Sequence, residues 1–333
     1  MKIYLAGDSI VQNYEKEEFI AGWGQFLPFF IKDGVEVVND AKGGRSSRLF
    51  INEGRFDNIE KNISAGDYLL IEFCHNDDAS KEYKTMFNRL TPLGEPDSDG
   101  RFPIIPGEAM PKDYIPPEYI NALRKDENVK DKQAVLDSVY KILESYPHDT
   151  YYPYSADGSK GTYLWFLKQF VDMAREKGAV PVFVTAPART VYDANGNIKD
   201  GAGLHGGNNF AYIRAMKQLG EEAKVPVIDL FAYSCGLYKQ IGKEKIHWIT
   251  SIKNGCNKGI WPDDFNSEMQ KKETVSEDTH FNKYGAMLIT QGLVKLIKES
   301  DSSQLDGLKG MLKNPDGIDI EKYVKKPLVF EEF

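Results

Sequence analysis

Lys2-Ile3-Tyr4-Leu5-Ala6-Gly7-Asp8-Ser9 opens the chain, and Ile10-Val11-Gln12-Asn13-Tyr14 follows it. A run of β-type residues stops abruptly at a Gly-Asp-Ser turn. The same grammar recurs. Val35–Asn39 runs into Asp40-Ala41-Lys42-Gly43-Gly44-Arg45-Ser46-Ser47-Arg48, and Tyr68–Phe73 runs into Cys74-His75-Asn76-Asp77. Val180–Ala186 and Pro226–Leu230 are two further strand-like runs. Segments with helical periodicity separate them: Gly24–Lys32, Arg55–Ile63, Tyr163–Lys177, Phe210–Lys224 and Tyr284–Glu299. In Tyr163–Lys177 the apolar positions are 164, 167, 170, 171 and 174, and Gly178 follows as a stop. Strands alternating with helices predict a parallel sheet covered on both faces. Right-handed crossovers then give a doubly wound α/β sandwich.

In such a sheet the carboxyl ends of the strands share one edge, where open α/β sheets bind ligands. The first three polar turns therefore converge there. Ser9 in a strand-to-helix turn can lie over backbone N–H groups suited to an oxyanion, or it can be an ordinary helix cap. The Gly43-Gly44 pair allows close backbone approach to a ligand, or simply makes a tight turn. Asn76 offers a neutral side-chain donor, or an Asx turn. A fourth block, Glu277-Asp278-Thr279-His280-Phe281-Asn282, stands just before the last helical segment. A carboxylate close before a His can fix its tautomer and leave Nε2 free as a base. Arg45, Arg48, Arg101 and Arg189 are candidate partners for a substrate carboxylate, with solvated surface charge as the alternative for each.

The remaining features exclude more than they assert. The chain has 333 residues, 41% hydrophobic and 28% charged, with a net charge of −8. An acidic balance argues against nucleic acid or an anionic membrane as the main partner. No apolar run approaches the ~18 residues of a membrane span, and the start of the chain lacks a signal-peptide pattern, so a cytoplasmic location is expected. Three cysteines without a CxxC pair do not suggest a disulfide framework or a thiolate metal site. No HExxH or EF-hand pattern occurs, so no metal and no cofactor are expected.

The order Gly7-Asp8-Ser9, Gly43-Gly44-Arg45-Ser46-Ser47-Arg48, His75-Asn76-Asp77, Asp278-Thr279-His280-Phe281 resembles the SGNH (GDSL) hydrolases, and within them the rhamnogalacturonan acetylesterase branch. The likeness covers almost all of residues 1–78, including YLAGDS, GWGQFL, VVNDAKGGRSSR, EGRFDNI and AGDYLLIEF; it resumes weakly at 180–190 and firmly at 278–292. It implies a three-layer α/β/α sandwich on a five-stranded parallel sheet, flavodoxin-like in outline. It implies Ser9 as nucleophile, His280 as base, and an oxyanion hole from the Ser9 N–H, the Gly44 N–H and the Asn76 side chain. Two positions depart from the pattern. Cys74 stands where the family usually has Gly. Glu277 stands at the usual Asp position three residues before the His, with Asp278 next to it. Either carboxylate can complete a triad, and Glu277 has the family spacing.

These readings predict one SGNH domain over 1–299, with inserts at about 79–160 and 232–272, and a C-terminal extension at 300–333 that serves as a strap or a homodimer contact. The inserts are expected to wall the site with Trp and Tyr. Arg45, His75 and Arg189 are expected at the substrate. The expected activity is removal of O-acetyl groups from pectin or rhamnogalacturonan-type oligosaccharides. The alternatives are another SGNH esterase, lipase or thioesterase, or a catalytically silent glycan-binding protein.

Overall fold

The computed structural model describes residues 1–15, 20–78, 89–199, 209–252 and 276–324. Five parallel strands form the central sheet: β1 (Lys2–Gly7), β2 (Glu36–Asn39), β3 (Tyr68–Glu72), β6 (Val180–Val184) and β7 (Val227–Ile228), in the order β2-β1-β3-β6-β7. Alternation along the strands divides the core in two. Ile3, Leu5, Leu70, Val182, Val184 and Ile228 join one apolar layer, and Tyr4, Ala6, Leu69, Ile71 and Phe183 join the other. Helices α1 (Trp23–Phe26) and α9 (Lys283–Glu299) cover the first face; α6 (Tyr163–Glu176) and α7 (Asn209–Ala223) cover the second. This is the expected α/β/α sandwich, and coverage on both faces explains strands apolar at nearly every position. The expected helix at 24–32 is short. After Phe26 the chain tightens into a 3₁₀ turn over Leu27–Phe30, with Pro28 in its first turn.

The stretches that interrupt the alternation are built differently from one another. Residues 89–160 carry a two-stranded ribbon, β4 (Met110–Pro111) with β5 (Thr150–Tyr151), and two helices, α4 (Pro117–Lys125) and α5 (Lys132–Ser145). Tyr119, Leu123, Val139, Leu143, Tyr146 and Tyr151 form a small core there together with Leu49, which lies outside the stretch. The stretch expected as an insert from 232 instead begins inside α8 (Leu230–Ile241), the helix that follows β7. Asp229 caps it, its side chain accepting from the Ala232 N–H. Gly236 and a nearly continuous apolar run hid that helix in the sequence. Residues 253–272 lie outside the described residues.

Residues 300–324 of the C-terminal segment pack back on the domain. Leu305, Leu308, Met311 and Leu312 are buried in the same layer as α9, and Leu312 forms an antiparallel bridge with Ile31. Among the described residues no helix is long and apolar enough to cross a membrane.

Candidate active site

The site is built at the carboxyl edge of β1, β2 and β3. Beyond Gly7 the chain curls, and the Val11 and Gln12 N–H groups both donate to the Asp8 carbonyl. The Asp8 side chain is fully buried and ties two turns together. Its Oδ1 accepts from the Ile10 N–H at 2.9 Å, and its Oδ2 accepts from Asn76 Nδ2 at 2.9 Å. The Tyr14 hydroxyl donates to the Ser9 carbonyl at 3.0 Å. These bonds fix Ser9 at the rim, 9% exposed.

The second turn lies against the first. The Gly43 N–H donates to Gln12 Oε1. A Cβ at Gly43 would stand 3.4 Å from Ser9 Cβ. Gly44 has φ +80°, a left-handed conformation that side-chain-bearing residues rarely adopt. Ser46 then caps helix α2 (Ser47–Asn52), accepting from the Leu49 N–H. The third turn brings Asn76, whose one amide hydrogen is held by Asp8. Among the described residues no protein acceptor takes the Ser9 N–H, the Gly44 N–H or the second Asn76 amide hydrogen.

His280 arrives from the far end of the chain. It lies on β9 (Ser276–Phe281), which pairs antiparallel with β8 (Thr250–Ile252). The Ala21 N–H donates to the Phe281 carbonyl at 2.9 Å and the Thr190 N–H to the Asp278 carbonyl at 2.8 Å. Asn282 caps α9 through the Gly285 N–H and donates to the Trp248 and Thr250 carbonyls at 2.8 and 3.1 Å. Held on both sides, His280 places Nε2 2.8 Å from Ser9 Oγ. Asp278 Oδ1 accepts from the Thr279 hydroxyl at 2.9 Å and lies 3.8 Å from Arg189 Nη1. The side chain of Glu277 lies outside the described residues.

Beneath these turns sits a group of buried carboxyls. Burial, followed by the charges of Asp8 and Asp77, drives Glu72 well above the ordinary carboxylate range. Burial also raises Asp8, against the pull of the Ile10 N–H, His280 and Asn76. Asp77 is pushed up by burial to about 7, although the Ser47 hydroxyl and N–H both donate to it, at 2.5 and 2.9 Å. Cys74, at the position the family gives to Gly, packs in the core at 1% exposure.

Ser9, Gly44, Asn76 and His280 are thus brought to one place. Three residues expected to read the substrate are bonded to the protein itself. Arg45 spends Nε and Nη2 on Glu53, at 2.9 and 2.8 Å, and Nη1 on the Gly43 carbonyl, at 2.7 Å. It braces its own turn. His75 is buried, with Nε2 3.1 Å from the Pro187 carbonyl. Arg189, its side chain 2% exposed, donates to the Thr279 hydroxyl and steadies the strand that carries His280. Of the other arginines, Arg48 is buried and donates to the Tyr152 carbonyl at 2.8 Å, and Arg101 pairs with Glu222 at the surface.

One residue at the turn has no counterpart in the sequence reading. Arg89 lays its guanidinium beside Gly44, with Nη2 3.2 Å from where a Cβ there would stand. The backbone holds it in place: the Thr91 N–H donates to the Asp77 carbonyl at 3.0 Å, and the Tyr212 hydroxyl donates to both the Asp77 and Thr91 carbonyls. Its one sequence signal was its position shortly after the third-strand turn, in a stretch without periodicity. Among the described residues it is an insert residue at the site; Trp and Tyr are the types expected there. Residues 79–88 and Trp261 lie outside the described residues. Among the described residues no cluster of three or more His, Cys, Asp or Glu could hold a metal ion.

No protein-family model matches the chain. It is 30% identical over 300 residues to the rhamnogalacturonan acetylesterase RhgT of Bacillus subtilis (strain 168), covering 90% of each chain. It is 30% identical over 298 residues to the probable rhamnogalacturonan acetylesterase YesY of the same organism, covering 89% of this chain and 92% of that one. A shorter match, 45% identical over 78 residues, joins it to a rhamnogalacturonan acetylesterase of Emericella nidulans, covering 23% of this chain and 29% of the relative. Among solved structures, protein YxiM of Bacillus subtilis shares the fold at a TM-score of 0.53 and 19% identity; 91% of this chain aligns, spanning 57% of that one.

Proposed function

The chain belongs to the rhamnogalacturonan acetylesterase family of the SGNH (GDSL) hydrolases and is a carboxylic ester hydrolase, and from that membership we propose that it is a serine esterase removing O-acetyl groups from acetylated pectin or rhamnogalacturonan-type oligosaccharides. One observation carries the serine mechanism. His280 Nε2 stands 2.8 Å from Ser9 Oγ at the sheet edge, beside N–H groups that no described protein atom takes.

Ser9 Oγ attacks the acetyl carbonyl as His280 Nε2 takes its proton. Negative charge grows on the carbonyl oxygen, which the Ser9 N–H, the Gly44 N–H and the free Asn76 amide hydrogen receive. Each such donor supplies about 2.7–4 kcal/mol in the transition state. The tetrahedral intermediate collapses, the sugar oxygen leaves with the proton from His280, and acetyl remains on Ser9. Water, deprotonated by His280, then releases acetate and restores the serine.

A carboxylate must orient His280 through Nδ1. Glu277 has the family spacing, and the engagement of Asp278 with Thr279 and Arg189 supports Glu277. Strand alternation favours the second reading, since positions 278 and 280 of β9 leave on the same face. Glu277→Gln and Asp278→Asn decide between them, because the true partner's variant loses about 10⁴-fold in kcat.

Acetate release from a panel of acetylated oligosaccharides tests the function. Release from acetylated rhamnogalacturonan fragments is expected. Release from aliphatic esters alone would reject the glycan reading.

A further inference from the structure

We propose that Arg89 gives this site its preference for acidic sugars, by binding the carboxylate of a uronosyl residue while the acetyl group of the same fragment meets Ser9. The inference rests on the acetylesterase reading above and names the charge that its substrate carries.

Position comes first. From the point where a Cβ on Gly44 would stand, Arg89 Nη2, Cζ and Nε are 3.2, 3.5 and 3.7 Å away. The guanidinium therefore lies against the turn whose other glycine abuts Ser9. Gly44 leaves open the space that a side chain there would contest.

Charge comes second. Arg45, on the same turn, is neutralised by Glu53, which also takes Arg55. Among the described residues Arg89 has no carboxylate within ion-pair distance. Asp8 is the acid whose field reaches it, and that carboxyl is occupied by Ile10 and Asn76. Burial and repulsion from Arg45 both work against the charge on Arg89. A guanidinium nonetheless stays protonated. A half-buried cation to which no described carboxylate is paired is stabilised by an anion that binds it.

The chemistry of that anion follows from the fork. Parallel N–H donors match a planar carboxylate bidentately. An O-acetylated uronosyl residue carries the carboxylate and the ester on one ring or on adjoining rings, so one fragment can address Arg89 and Ser9 together. A neutral acetylated sugar reaches Ser9 but leaves Arg89 without its anion.

The test compares kcat/KM for one acetylated galacturonate oligosaccharide as the free acid and as its methyl ester, using the full chain. The wild-type protein is expected to favour the acid by about tenfold to a hundredfold, the size of a hydrogen-bonded charge pair. In Arg89→Gln that preference should fall to about one, mainly through KM, and Arg89→Lys should restore part of it. Added salt should slow the wild-type reaction on the acid more than on the ester. Reactivity of Ser9 with a phosphonate probe shows that each variant is folded. If Arg89→Gln fails that check, Arg89→Lys and the wild-type salt dependence still decide.

Three results overturn the inference alone: equal wild-type rates on acid and ester, a preference that survives Arg89→Gln, or an equal fall of kcat on both forms. The last would make Arg89 part of the oxyanion site. Acetate release from neither form overturns the acetylesterase reading itself.

Discussion

Two regions meet at helix α2, and they are held by opposite means. The turns after β1, β2 and β3 are held by polar groups taken out of water. Asp8, Ser46, Ser47, His75, Asn76 and Asp77 are all buried, and their bonds run from turn to turn. The insert over 89–160 is held mainly by an apolar cluster that also takes in Leu49 of α2, and among the directional bonds that join it to the main domain several meet at Tyr152. Arg48 and Asn52 donate to the Tyr152 carbonyl, and its N–H donates to Asn52. Directional bonds fix atoms to a few tenths of an ångström, as a reacting oxygen requires; apolar burial fixes volume and tolerates repacking. The reactive atoms should therefore respond sharply to single polar changes, and the insert should absorb apolar ones with little effect on chemistry.

Ser9→Ala is the strongest way to break the comparison. It should lower acetate release by several orders of magnitude, toward the ~10⁶-fold seen when a catalytic serine is lost, with a thermal midpoint close to wild type. Activity above a few per cent would remove Ser9 from the role given to it. Asn76→Ala comes next. It should cost about 10²–10³-fold in kcat with little change in KM, since the donor acts on charge that appears only in the transition state. A rise in KM alone would make Asn76 a substrate contact.

Leu143→Ala tests the other region. Leu143 is 1% exposed within the insert cluster, so its truncation should cost about 2–5 kcal/mol of local stability. Hydrogen exchange should quicken in 117–146 while the amides of β1 and β3 keep their protection and kcat on a small acetyl ester stays near wild type. Loss of protection throughout would show that the two regions unfold as one.

The smallest signal is a pH slope. The folded chain holds a proton on Asp77 up to about pH 7, where an unfolded chain has lost it from about pH 4. Stability should fall as pH rises through that interval and level off above it. Glu72 and Asp8 are shifted in the same direction and add to the slope. The urea midpoint should be lower at pH 8 than at pH 5, and Asp77→Asn should narrow the difference. An unchanged difference would place the titration elsewhere.

The sequence made Ser9, Gly44, Asn76 and His280 legible for one reason. Parallel strands bring their carboxyl ends to a common edge, so order along the chain becomes proximity in space. Side-chain commitment is not written that way. Nothing local to Arg45 shows that Glu53, eight positions on, will return at the end of α2 to take its guanidinium. Nothing near Arg189 shows that it will be buried under Thr279. Arg89 was missed for the converse reason: it follows a stretch with no period, and its place depends on Asp77, Thr91 and Tyr212 meeting. The helix at 230–241 escaped because its apolar positions are nearly continuous, which periodicity alone cannot tell from a buried strand.

Ser9 and His280 are 271 positions apart in the chain. Their pairing ties the first strand to the last one before the final long helix. At about 5–20 residues per second, a ribosome that has delivered the serine needs roughly 15–50 s more to deliver its base. On the proposed mechanism, the growing chain would carry its nucleophile without a proton acceptor throughout that interval and would be inert toward esters. Activity by that mechanism would therefore begin late, once the strand that carries His280 has been made. A polypeptide truncated before the last strand is expected to be inactive, however well its sheet has formed.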